Sequence, residues 1–331
     1  MRILITGGAG FIGSHLAERL LDSNMEVVCL DNFNDFYDPG LKRRNIEKAF
    51  WSNRYTLISG DILDEELLDK IFSEPFDAVV HLAAYAGVRP SIERPKIYEK
   101  VNVRGTLNLL ERCRRHDVKK FVFASSSSVY GGRRHVPFRE TDDISKPISP
   151  YAASKVAGEA LCFTYHHLFD IHIHALRFFT VYGPRQRPEM AIHLFADNML
   201  RGEPITLFGD GESSRDYTYI DDIIDGVVAS LEKCEGFEII NLGGSKTTSL
   251  NSLVSFISRR LAIEPLVEHT GDQPGDVPIT FADVTHASSL LGYSPKIDIK
   301  TGIDRFCEWL LEERKKRLEE ESSVSESDDE Q

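Results

Sequence analysis

Tyr151 and Lys155 stand four positions apart, a spacing that places a phenol and an ammonium on one face of a helix. A free tyrosine has a pKa of about 10, which is too high for a base at neutral pH. A lysine cation beside the phenol favours the phenolate and lowers that pKa. The pair therefore predicts proton transfer to and from a substrate hydroxyl.

Four consecutive serines, residues 125–128, follow a short apolar run and precede Val129-Tyr130-Gly131. The apolar run has the character of a buried strand, so the serines are expected where that strand ends. Because the carboxyl ends of parallel strands meet at one edge of a sheet, the serine hydroxyls are expected beside Tyr151.

Glycines at positions 7, 10 and 13 come directly after the first apolar run. In this pattern the first glycine permits a tight turn, the second lets the backbone approach a pyrophosphate, and the third allows close helix–strand packing. The N-terminus of the following helix adds free N–H groups that suit phosphates. We therefore expect a dinucleotide in contact with Gly7, Gly10, Phe11, Ile12 and Gly13.

Asp31 ends the second apolar run, where the glycine fingerprint places the acid that binds the adenosine ribose. Its charge would repel a 2′-phosphate, so it favours NAD over NADP. The basic residues Lys42, Arg43 and Arg44 in the following loop argue in the opposite direction. Further expected cofactor contacts are Asn32, Asp61 and Ile62, the last two beside the adenine.

Short apolar runs alternate with amphipathic stretches over about the first 180 residues. Runs that are apolar on both faces and separated by helices are typical of a parallel sheet covered on two sides. Right-handed crossovers then give a Rossmann-type doubly wound α/β fold, with ligands at the carboxyl ends of the strands. The predicted strands are Arg2–Thr6, Glu26–Asp31, Tyr55–Ser59, Ala78–His81, 120–125 and His172–Phe178. The predicted helices are Phe11–Asp22, 64–73, 97–115 and Pro150–Phe169.

Prolines and glycines punctuate shorter elements after about residue 183. We therefore predict an NAD-binding domain over residues 1–183, with short returns from the C-terminal half, and a smaller mixed α/β lobe over 184–317 that binds the substrate. The last predicted helix covers 301–316. Residues 318–331 are rich in Glu, Asp and Ser, cannot bury apolar surface, and are expected to be an unstructured acidic tail.

The composition disfavours several classes of function. A formal net charge of −13 disfavours binding to nucleic acid or anionic membranes, and the sequence has no apolar run of membrane-spanning length. The five cysteines are scattered without zinc-type spacing, which suits reduced thiols. The N-terminus lacks a signal-peptide pattern, so we expect a cytoplasmic protein. No acid or cysteine stands at useful spacing from the histidines, and no metal is expected.

These motifs together resemble the extended short-chain dehydrogenase/reductase family, over roughly residues 1–315. The resemblance rests on the glycine fingerprint, on Leu82-Ala83-Ala84 after the fourth strand, on the serine run and on Tyr151 with Lys155. It implies that Tyr151 is the acid/base, that Lys155 holds the nicotinamide ribose and that Ser126 bonds the reacting hydroxyl. It also implies a homodimer paired through the two long helices, and NAD contacts at Leu82, Ala83, Ala84 and Asn102.

A second group of motifs resembles the nucleotide-sugar epimerases and decarboxylases of this family. Ser214-Arg215-Asp216-Tyr217 is similar to the segment whose arginine grips the diphosphate, a task that suits a bidentate guanidinium. Gln273-Pro274-Gly275-Asp276 is similar to the segment that holds the nucleotide ribose, and Thr206-Leu207-Phe208 to the one along the uracil. The resemblance implies a UDP-sugar substrate with contacts at Thr206, Phe208, Arg215, Gln273 and Asp276.

The stretch from Arg177 to Pro184 looks like the UDP-glucuronate 4-epimerases. Thr180 stands where UDP-glucose 4-epimerases and UDP-glucuronate decarboxylases usually carry Asn. Ser128 stands where the decarboxylases and 4,6-dehydratases usually place an acid. The segments Asp35-Phe36-Tyr37-Asp38-Pro39 and Ala86-Gly87-Val88-Arg89 also resemble the glucuronate epimerases, whereas Arg185-Gln186 departs from the Trp-Gly of some members.

The expected reaction is a redox-neutral inversion at C4 of the sugar. Tyr151 takes the O4 proton while C4 gives a hydride to NAD⁺, and the hydride then returns to the opposite face of the 4-keto sugar. In a glucuronate that ketone lies β to the carboxylate, so carbon dioxide is easily lost unless fixed donors hold the carboxylate. The expected donors are Ser127, Ser128, Thr180 and Arg187, and Arg89 is also expected at the substrate.

Two alternatives remain open at this point. A UDP-glucose 4-epimerase or a UDP-glucuronate decarboxylase is the alternative enzyme, and product analysis separates these activities. A redox-sensing NAD-binding regulator is the non-enzymatic alternative. Such regulators commonly lose the Tyr/Lys pair, which this sequence has.

Overall fold

The computed structural model describes residues 1–271 and 277–328, with side chains up to Glu319. In chain order the strands are β1 (Arg2–Thr6), β2 (Glu26–Asp31), β3 (Tyr55–Ser59), β4 (Ala78–His81), β5 (Lys120–Ser126), β6 (His172–Phe178), β7 (Thr180–Tyr182), β8 (Ile205–Phe208), β9 (Ser214–Arg215), β10 (Tyr217–Tyr219), β11 (Phe237–Leu242), β12 (Thr248–Ser249) and β13 (Val267–Thr270).

The α-helices are α1 (Phe11–Asp22), α2 (Pro39–Asn45), α3 (Glu65–Ile71), α4 (Val88–Glu93), α5 (Pro95–Tyr98), α6 (Gly105–Arg115), α7 (Pro150–Phe169), α8 (Ala191–Arg201), α9 (Ile220–Glu232), α10 (Leu250–Leu261), α11 (Thr285–Leu291) and α12 (Ile299–Asp328). Two 3₁₀ turns cover Glu47–Trp51 and Ser127–Tyr130, and a π-helical segment covers Glu99–Arg104.

A seven-stranded sheet with the order β11-β6-β5-β4-β1-β2-β3 forms the centre of the fold, and its strands pair in parallel. Ile3 on β1 lies in register with Val27 on β2 and with Ala78 on β4. Successive residues of a strand face opposite sides of a sheet, so Ile3 joins one hydrophobic core and Leu4 the other. The predicted doubly wound parallel α/β fold is confirmed.

Helix α7 carries the predicted acid/base pair to the carboxyl end of β5. Its first turn is capped by the Ser149 side chain, which accepts a hydrogen bond from the Ala152 N–H at 3.1 Å, and Pro150 occupies the first turn. Gly158 permits close packing on the sheet, because a Cβ at this position would lie 2.4 Å from the Phe123 ring.

The helix predicted over 97–115 is instead divided into α5, the π-helical segment and α6. At Gly105, where α6 begins, the backbone comes so close to Ile62 that an added Cβ would lie 2.4 Å from its side chain. The backbone nevertheless stays helical from Pro95 to Arg115, and Gly105 has α-helical dihedral angles of −59° and −42°.

The C-terminal half contributes to the central sheet and also forms smaller sheets. Strand β11 extends the central sheet by pairing with β6. Strand β7 follows β6 almost directly and pairs with β10, and two further two-stranded sheets join β9 with β12 and β8 with β13.

The last helix is longer than predicted, because α12 continues from Ile299 to Asp328. The prediction of an unstructured tail is therefore wrong for residues 318–328, whose backbone is helical. Glu, Lys and Leu are good helix formers, and Lys315 lies 3.8 Å from Glu319 one turn later. Within the described part of the chain, no helix combines the length and apolar character needed to cross a membrane.

Candidate functional site

A cleft of about 450 Å³ opens at the carboxyl ends of the central strands. Loops that follow β1, β2, β3, β4, β5 and β6 all contribute to its lining. The predicted cofactor residues that line it are Gly7, Gly10, Phe11, Ile12, Gly13, Asp31, Asn32, Asp61, Ile62, Leu82, Ala83, Ala84, Tyr151 and Lys155. The predicted substrate residues that line it are Ser126, Ser127, Ser128, Tyr151, Thr180 and Arg187.

The glycine turn after β1 requires its glycines for steric reasons. Gly7 has a φ of +71°, and a Cβ there would lie 2.7 Å from the Ala83 nitrogen. A Cβ at Gly13 would lie 2.3 Å from the Gly7 carbonyl oxygen. The turn therefore keeps α1 close to β1 and presents the helix N-terminus to the cleft, which fits the pyrophosphate of a dinucleotide.

We expect Gly13→Ala to weaken NAD binding by about 10- to 100-fold, because overpacking of this kind costs about 1–3 kcal/mol. Titration of nucleotide-free protein with NAD measures the effect. Gly132→Ala is the matched control, since a Cβ at Gly132 meets only Ile148, at 4.0 Å. Unchanged NAD affinity in Gly13→Ala would contradict the placement of the dinucleotide at this turn.

Asp31 is buried at the end of β2 and holds the loops around the adenosine end of the cleft. Its carboxylate accepts hydrogen bonds from the backbone N–H groups of Ala9 at 3.1 Å and Phe33 at 2.9 Å. Burial raises the pKa of Asp31, and these hydrogen bonds and the nearby Lys42 cation oppose that rise. The carboxylate lines the cleft and fits the ribose-binding role predicted for it.

The basic residues of the following loop are engaged within the loop itself. The Lys42 ammonium donates to the Asn34 carbonyl oxygen at 2.8 Å and to Asn34 Oδ1 at 3.0 Å. The Arg43 guanidinium lies over the Phe33 ring, 4.7 Å from its centroid. These contacts give Lys42 and Arg43 structural roles that do not require a 2′-phosphate.

Asn32 and Asp61 meet at the same end of the cleft. The Asn32 side-chain amide donates to Asp61 at 2.9 Å, and the other Asp61 oxygen accepts from the Leu63 N–H at 2.9 Å. The loops after β2 and β3 are thereby joined where the adenine is expected.

Lys155 lies beneath Tyr151 on α7 and is almost fully buried. Its ammonium donates to the Ala124 carbonyl oxygen at 2.7 Å and lies 5.9 Å from the centroid of the Tyr151 ring. Burial lowers the pKa of Lys155 to about 8, so this lysine is a cation at neutral pH but loses its proton in mildly alkaline solution. Burial raises the pKa of Tyr151, whereas a hydrogen bond from Ser126 and the charge of Arg187 lower it.

The serine run turns sharply at the end of β5, so that Ser126, Ser127 and Ser128 all reach the cleft. The Ser126 hydroxyl oxygen accepts hydrogen bonds from the Ser128 N–H at 3.2 Å and from the Ser128 hydroxyl at 2.8 Å. This turn fixes the hydroxyls beside Tyr151, as the sequence predicts.

A buried ion pair connects α7 to β6 and to the serine turn. Arg177 on β6 donates to both carboxylate oxygens of Glu159 on α7, at 2.9 and 2.8 Å. Glu159 also accepts from the Ser125 hydroxyl, and Arg177 donates to the Tyr130 hydroxyl at 3.0 Å. The network links α7 to both ends of the serine turn, and the sequence motifs did not predict it.

Asn102, which the sequence predicts as a cofactor contact, has hydrogen-bond partners within the protein. It is buried and absent from the described cleft lining. Its amide instead pairs with both backbone groups of Tyr85 at 2.9 Å and donates to the Ser154 hydroxyl at 2.9 Å. Asn102 therefore fixes the loop after β4 against α7.

The predicted nucleotide contacts Arg89, Thr206, Phe208 and Arg215 lie outside the cleft lining, in the described part of the chain. The Arg89 guanidinium nevertheless reaches from α4 to the Phe208 ring at the end of β8, 4.1 Å from its centroid. This contact joins the NAD-binding side to the C-terminal lobe. Gln273 and Asp276 lie outside the described residues.

Arg215 sits on a strand that is held in place by the next residue, Asp216. The buried Asp216 carboxylate accepts hydrogen bonds from the backbone N–H groups of Gly244, Ser245 and Ala282, at 2.7, 3.1 and 3.0 Å. Burial raises the pKa of Asp216 to about 6. The motif that resembles a diphosphate-binding segment thus contains its own anchoring residue.

Histidines near the site have structural partners. His81 bonds the hydroxyls of Thr6 at 2.7 Å and Thr106 at 3.0 Å, and burial lowers its pKa to about 3. Among the residues that the structure describes, no three or more His, Cys, Asp or Glu side chains are grouped to hold a metal ion.

The NAD dependent epimerase/dehydratase family matches residues 3–243. A UDP-glucuronate 4-epimerase of Thermodesulfobacterium geofontis is 43% identical over 311 residues, which cover 93% of this chain and 96% of that protein. The crystal structure of a UDP-glucuronic acid 4-epimerase from Bacillus cereus, in complex with UDP-glucuronic acid and NAD, is 40% identical. It has a TM-score of 0.87 and covers 94% of this chain and 99% of its own. A UDP-glucose 4-epimerase of Thermotoga maritima with UDP-glucose has the same TM-score at 34% identity, and covers 94% of this chain and 99% of its own.

Proposed function

The chain belongs to the NAD-dependent epimerase/dehydratase family, and from this premise we propose that it is an NAD-dependent isomerase that interconverts UDP-glucuronate and UDP-galacturonate. The cofactor is NAD, and the Asp31 carboxylate favours it because it can bind the ribose hydroxyls and would repel a 2′-phosphate.

The observation that carries the proposal is the distribution of charge along the cleft. Among the described lining residues, the carboxylates are Asp31 and Asp61, and both belong to the adenosine end. The opposite end, around Tyr151, presents hydroxyl groups and one guanidinium, namely those of Ser126, Ser127, Ser128, Thr180 and Arg187. An end made of hydrogen-bond donors and a cation suits a sugar that carries a carboxylate.

When bound, NAD supplies the chemistry of taking a hydride from C4 of the sugar and returning it. Tyr151 accepts the O4 proton as a phenolate and returns it to the sugar after the ketone has turned over. Lys155 stabilises that phenolate electrostatically, and Ser126 holds the O4 hydroxyl in line with the phenol. Ser126 Oγ accepts two hydrogen bonds from Ser128, which fix this hydroxyl next to Tyr151.

The remaining donors keep the carboxylate on the sugar. The 4-keto intermediate loses carbon dioxide when its carboxylate is desolvated and its C5–C6 bond is aligned with the carbonyl π-system. Ser127, Ser128, Thr180 and Arg187 supply fixed donors that oppose both conditions. Because residue 128 is a serine, no carboxyl group stands directly before Val129. Such an acid could protonate the carbon from which carbon dioxide would leave.

Product analysis tests the assignment. The pure protein is incubated separately with UDP-glucuronate and UDP-glucose, without added reductant, and the sugars are identified by NMR. We expect UDP-galacturonate from the first and little conversion of the second. A pentose with carbon dioxide would indicate a decarboxylase, and preferential conversion of UDP-glucose would indicate a neutral-sugar epimerase.

We also infer a cytoplasmic homodimer. Apolar side chains are exposed on the two long helices, with Leu107 on α6 36% exposed and Phe163 and Leu168 on α7 52% and 60% exposed. Burial of these side chains in a second copy would remove them from water. All five cysteines are free and buried, which is consistent with a reducing compartment. Sedimentation of the pure protein distinguishes the dimer from a monomer.

A further inference from the structure

We propose that Phe36 is a positioning residue that orients the Arg187 guanidinium and thereby suppresses decarboxylation of the substrate. This inference rests on the proposed epimerase function and concerns the same cleft. Phe36 belongs to the loop after β2, on the NAD-binding side, whereas Arg187 belongs to the loop after β7, on the substrate side. Both side chains line the cleft.

The two side chains are in contact. The guanidinium carbon of Arg187 lies 5.6 Å from the centroid of the Phe36 ring, within the range of a cation–π interaction. One Arg187 nitrogen also lies 3.2 Å from the carboxylate of Glu189. The Arg187 side chain is only 21% exposed, so these neighbours restrict the positions that it can adopt.

The kind of contact determines what the arginine can still do. An aromatic ring attracts a guanidinium through its charge and leaves the N–H groups available to other acceptors. Those N–H groups are the ones that bind a carboxylate in a bidentate manner. Phe36 therefore holds Arg187 without consuming all the donors that the substrate needs, which an additional acidic neighbour would do.

Phe36 is itself fixed by its surroundings. Its ring packs edge-on against Tyr85, with centroids 5.8 Å apart and planes at 86°, and its N–H donates to Asn34 Oδ1 at 3.1 Å. Asn34 is in turn held by the buried Lys42. The ring that contacts Arg187 is thus held by neighbours in its own loop and in the loop after β4.

The consequence concerns the fate of the 4-keto intermediate. In decarboxylation the C5–C6 bond breaks, its electron pair passes to the ketone as an enolate, carbon dioxide leaves, and C5 takes up a proton. The resulting 4-keto pentose becomes the UDP-pentose when the hydride taken from C4 is returned and Tyr151 gives its proton to O4. Arg187 slows this step only while it holds the carboxylate out of alignment with the carbonyl π-system. Loss of the Phe36 ring face releases the guanidinium, so the intermediate loses carbon dioxide more often before it is reduced.

Phe36→Leu and Phe36→Tyr test the proposal as a pair, because leucine keeps an apolar side chain and tyrosine keeps the ring face. Each variant is incubated with UDP-glucuronate, and the ratio of released carbon dioxide and UDP-pentose to UDP-galacturonate is measured. We expect Phe36→Leu to raise this ratio by about threefold to tenfold, the range of a partly buried cation–π contact. Phe36→Tyr should keep the wild-type ratio.

Phe33→Leu is the matched control for disturbance of the loop. The Phe33 ring contacts Arg43, which is not part of the described cleft lining. The Phe33→Leu variant should therefore leave the product ratio unchanged, even where it alters NAD affinity. An unchanged ratio in Phe36→Leu, or an equal rise in Phe33→Leu, would overturn the proposal. Failure of the wild-type protein to epimerise UDP-glucuronate would instead overturn the proposed function, and this inference with it.

Discussion

Tyr151→Phe is expected to lower the rate of epimerisation by about 10²- to 10⁴-fold while leaving NAD affinity largely unchanged, because general acid/base catalysis typically contributes that much. The variant keeps the ring and loses only the hydroxyl that accepts and returns the O4 proton. Tyr151 is the phenol next to Lys155 and Ser126, and a phenylalanine cannot transfer the proton between sugar and protein. Initial rates with UDP-glucuronate and a parallel NAD titration measure the two quantities.

Tyr98→Phe is the control for removal of a neighbouring phenol. The Tyr98 ring lies 6.1 Å from that of Tyr151, and its hydroxyl donates to the Ala86 carbonyl oxygen at 2.7 Å. Loss of one such hydrogen bond costs about 0.5–1.5 kcal/mol, so the rate should fall by roughly tenfold or less. Substantial activity in Tyr151→Phe, or an equal loss in Tyr98→Phe, would remove the basis for assigning the proton transfer to Tyr151.

The second large effect is a change in pH dependence on replacement of Lys155. Burial lowers the pKa of Lys155 to about 8, and its cation is the form that favours the Tyr151 phenolate. The wild-type rate is therefore expected to fall as the pH rises through about 8. The contribution of Lys155 to stability changes in the opposite direction, since a buried lysine with a lowered pKa is more easily accommodated once it is neutral.

Lys155→Met should lose about 10- to 1000-fold in rate at neutral pH, because a neighbouring charge shifts a pKa by about 1–3 units. We expect the phenolate to form only at higher pH without this cation, so the rate of the variant should rise with pH where the wild-type rate falls. The measurement is the pH profile of kcat for both proteins. A wild-type profile that stays flat through pH 8, or an unchanged alkaline limb in Lys155→Met, would contradict this role.

The alkaline limb is the informative one, because other groups titrate in acid. The pKa of Asp216, next to Arg215, is raised to about 6 by burial, so this carboxyl changes its charge in mildly acidic solution. His81, in contrast, stays neutral throughout the working range, since burial lowers its pKa to about 3.

The sequence predicted the features that depend on local spacing. Tyr151 and Lys155 are one helical turn apart wherever α7 packs, and the glycine turn has to follow β1 whatever lies around it. The strand predictions matched because the strands carry apolar residues on both faces of the sheet. Ile3 and Val27, for example, are fully buried. Since all these strands end at one edge, the sequence alone predicts that Ser126 and Tyr151 lie together.

The features that the sequence did not predict arise from contacts between distant segments. Asn102 bonds the backbone of Tyr85 from within a π-helical segment, and no local pattern in the sequence indicated either feature. The contact between Arg187 and Phe36 joins residues about 150 positions apart, so no local pattern could predict it. The sequence indicated only that the segment containing Phe36 resembles the glucuronate epimerases. Helix α12 is a local exception: it continues past Lys316, where Lys315 and Glu319 form an ion pair across one turn.

The most direct test of redox-neutral epimerisation uses UDP-glucuronate that carries deuterium at C4, in ordinary water and without added reductant. NMR of the product then reports the configuration at C4, the presence of the carboxylate and the position of the label. We predict UDP-galacturonate with its carboxylate intact and its deuterium still at C4, because that hydrogen leaves and returns without entering water. Loss of the deuterium to solvent, or inversion at a different carbon, would contradict the account.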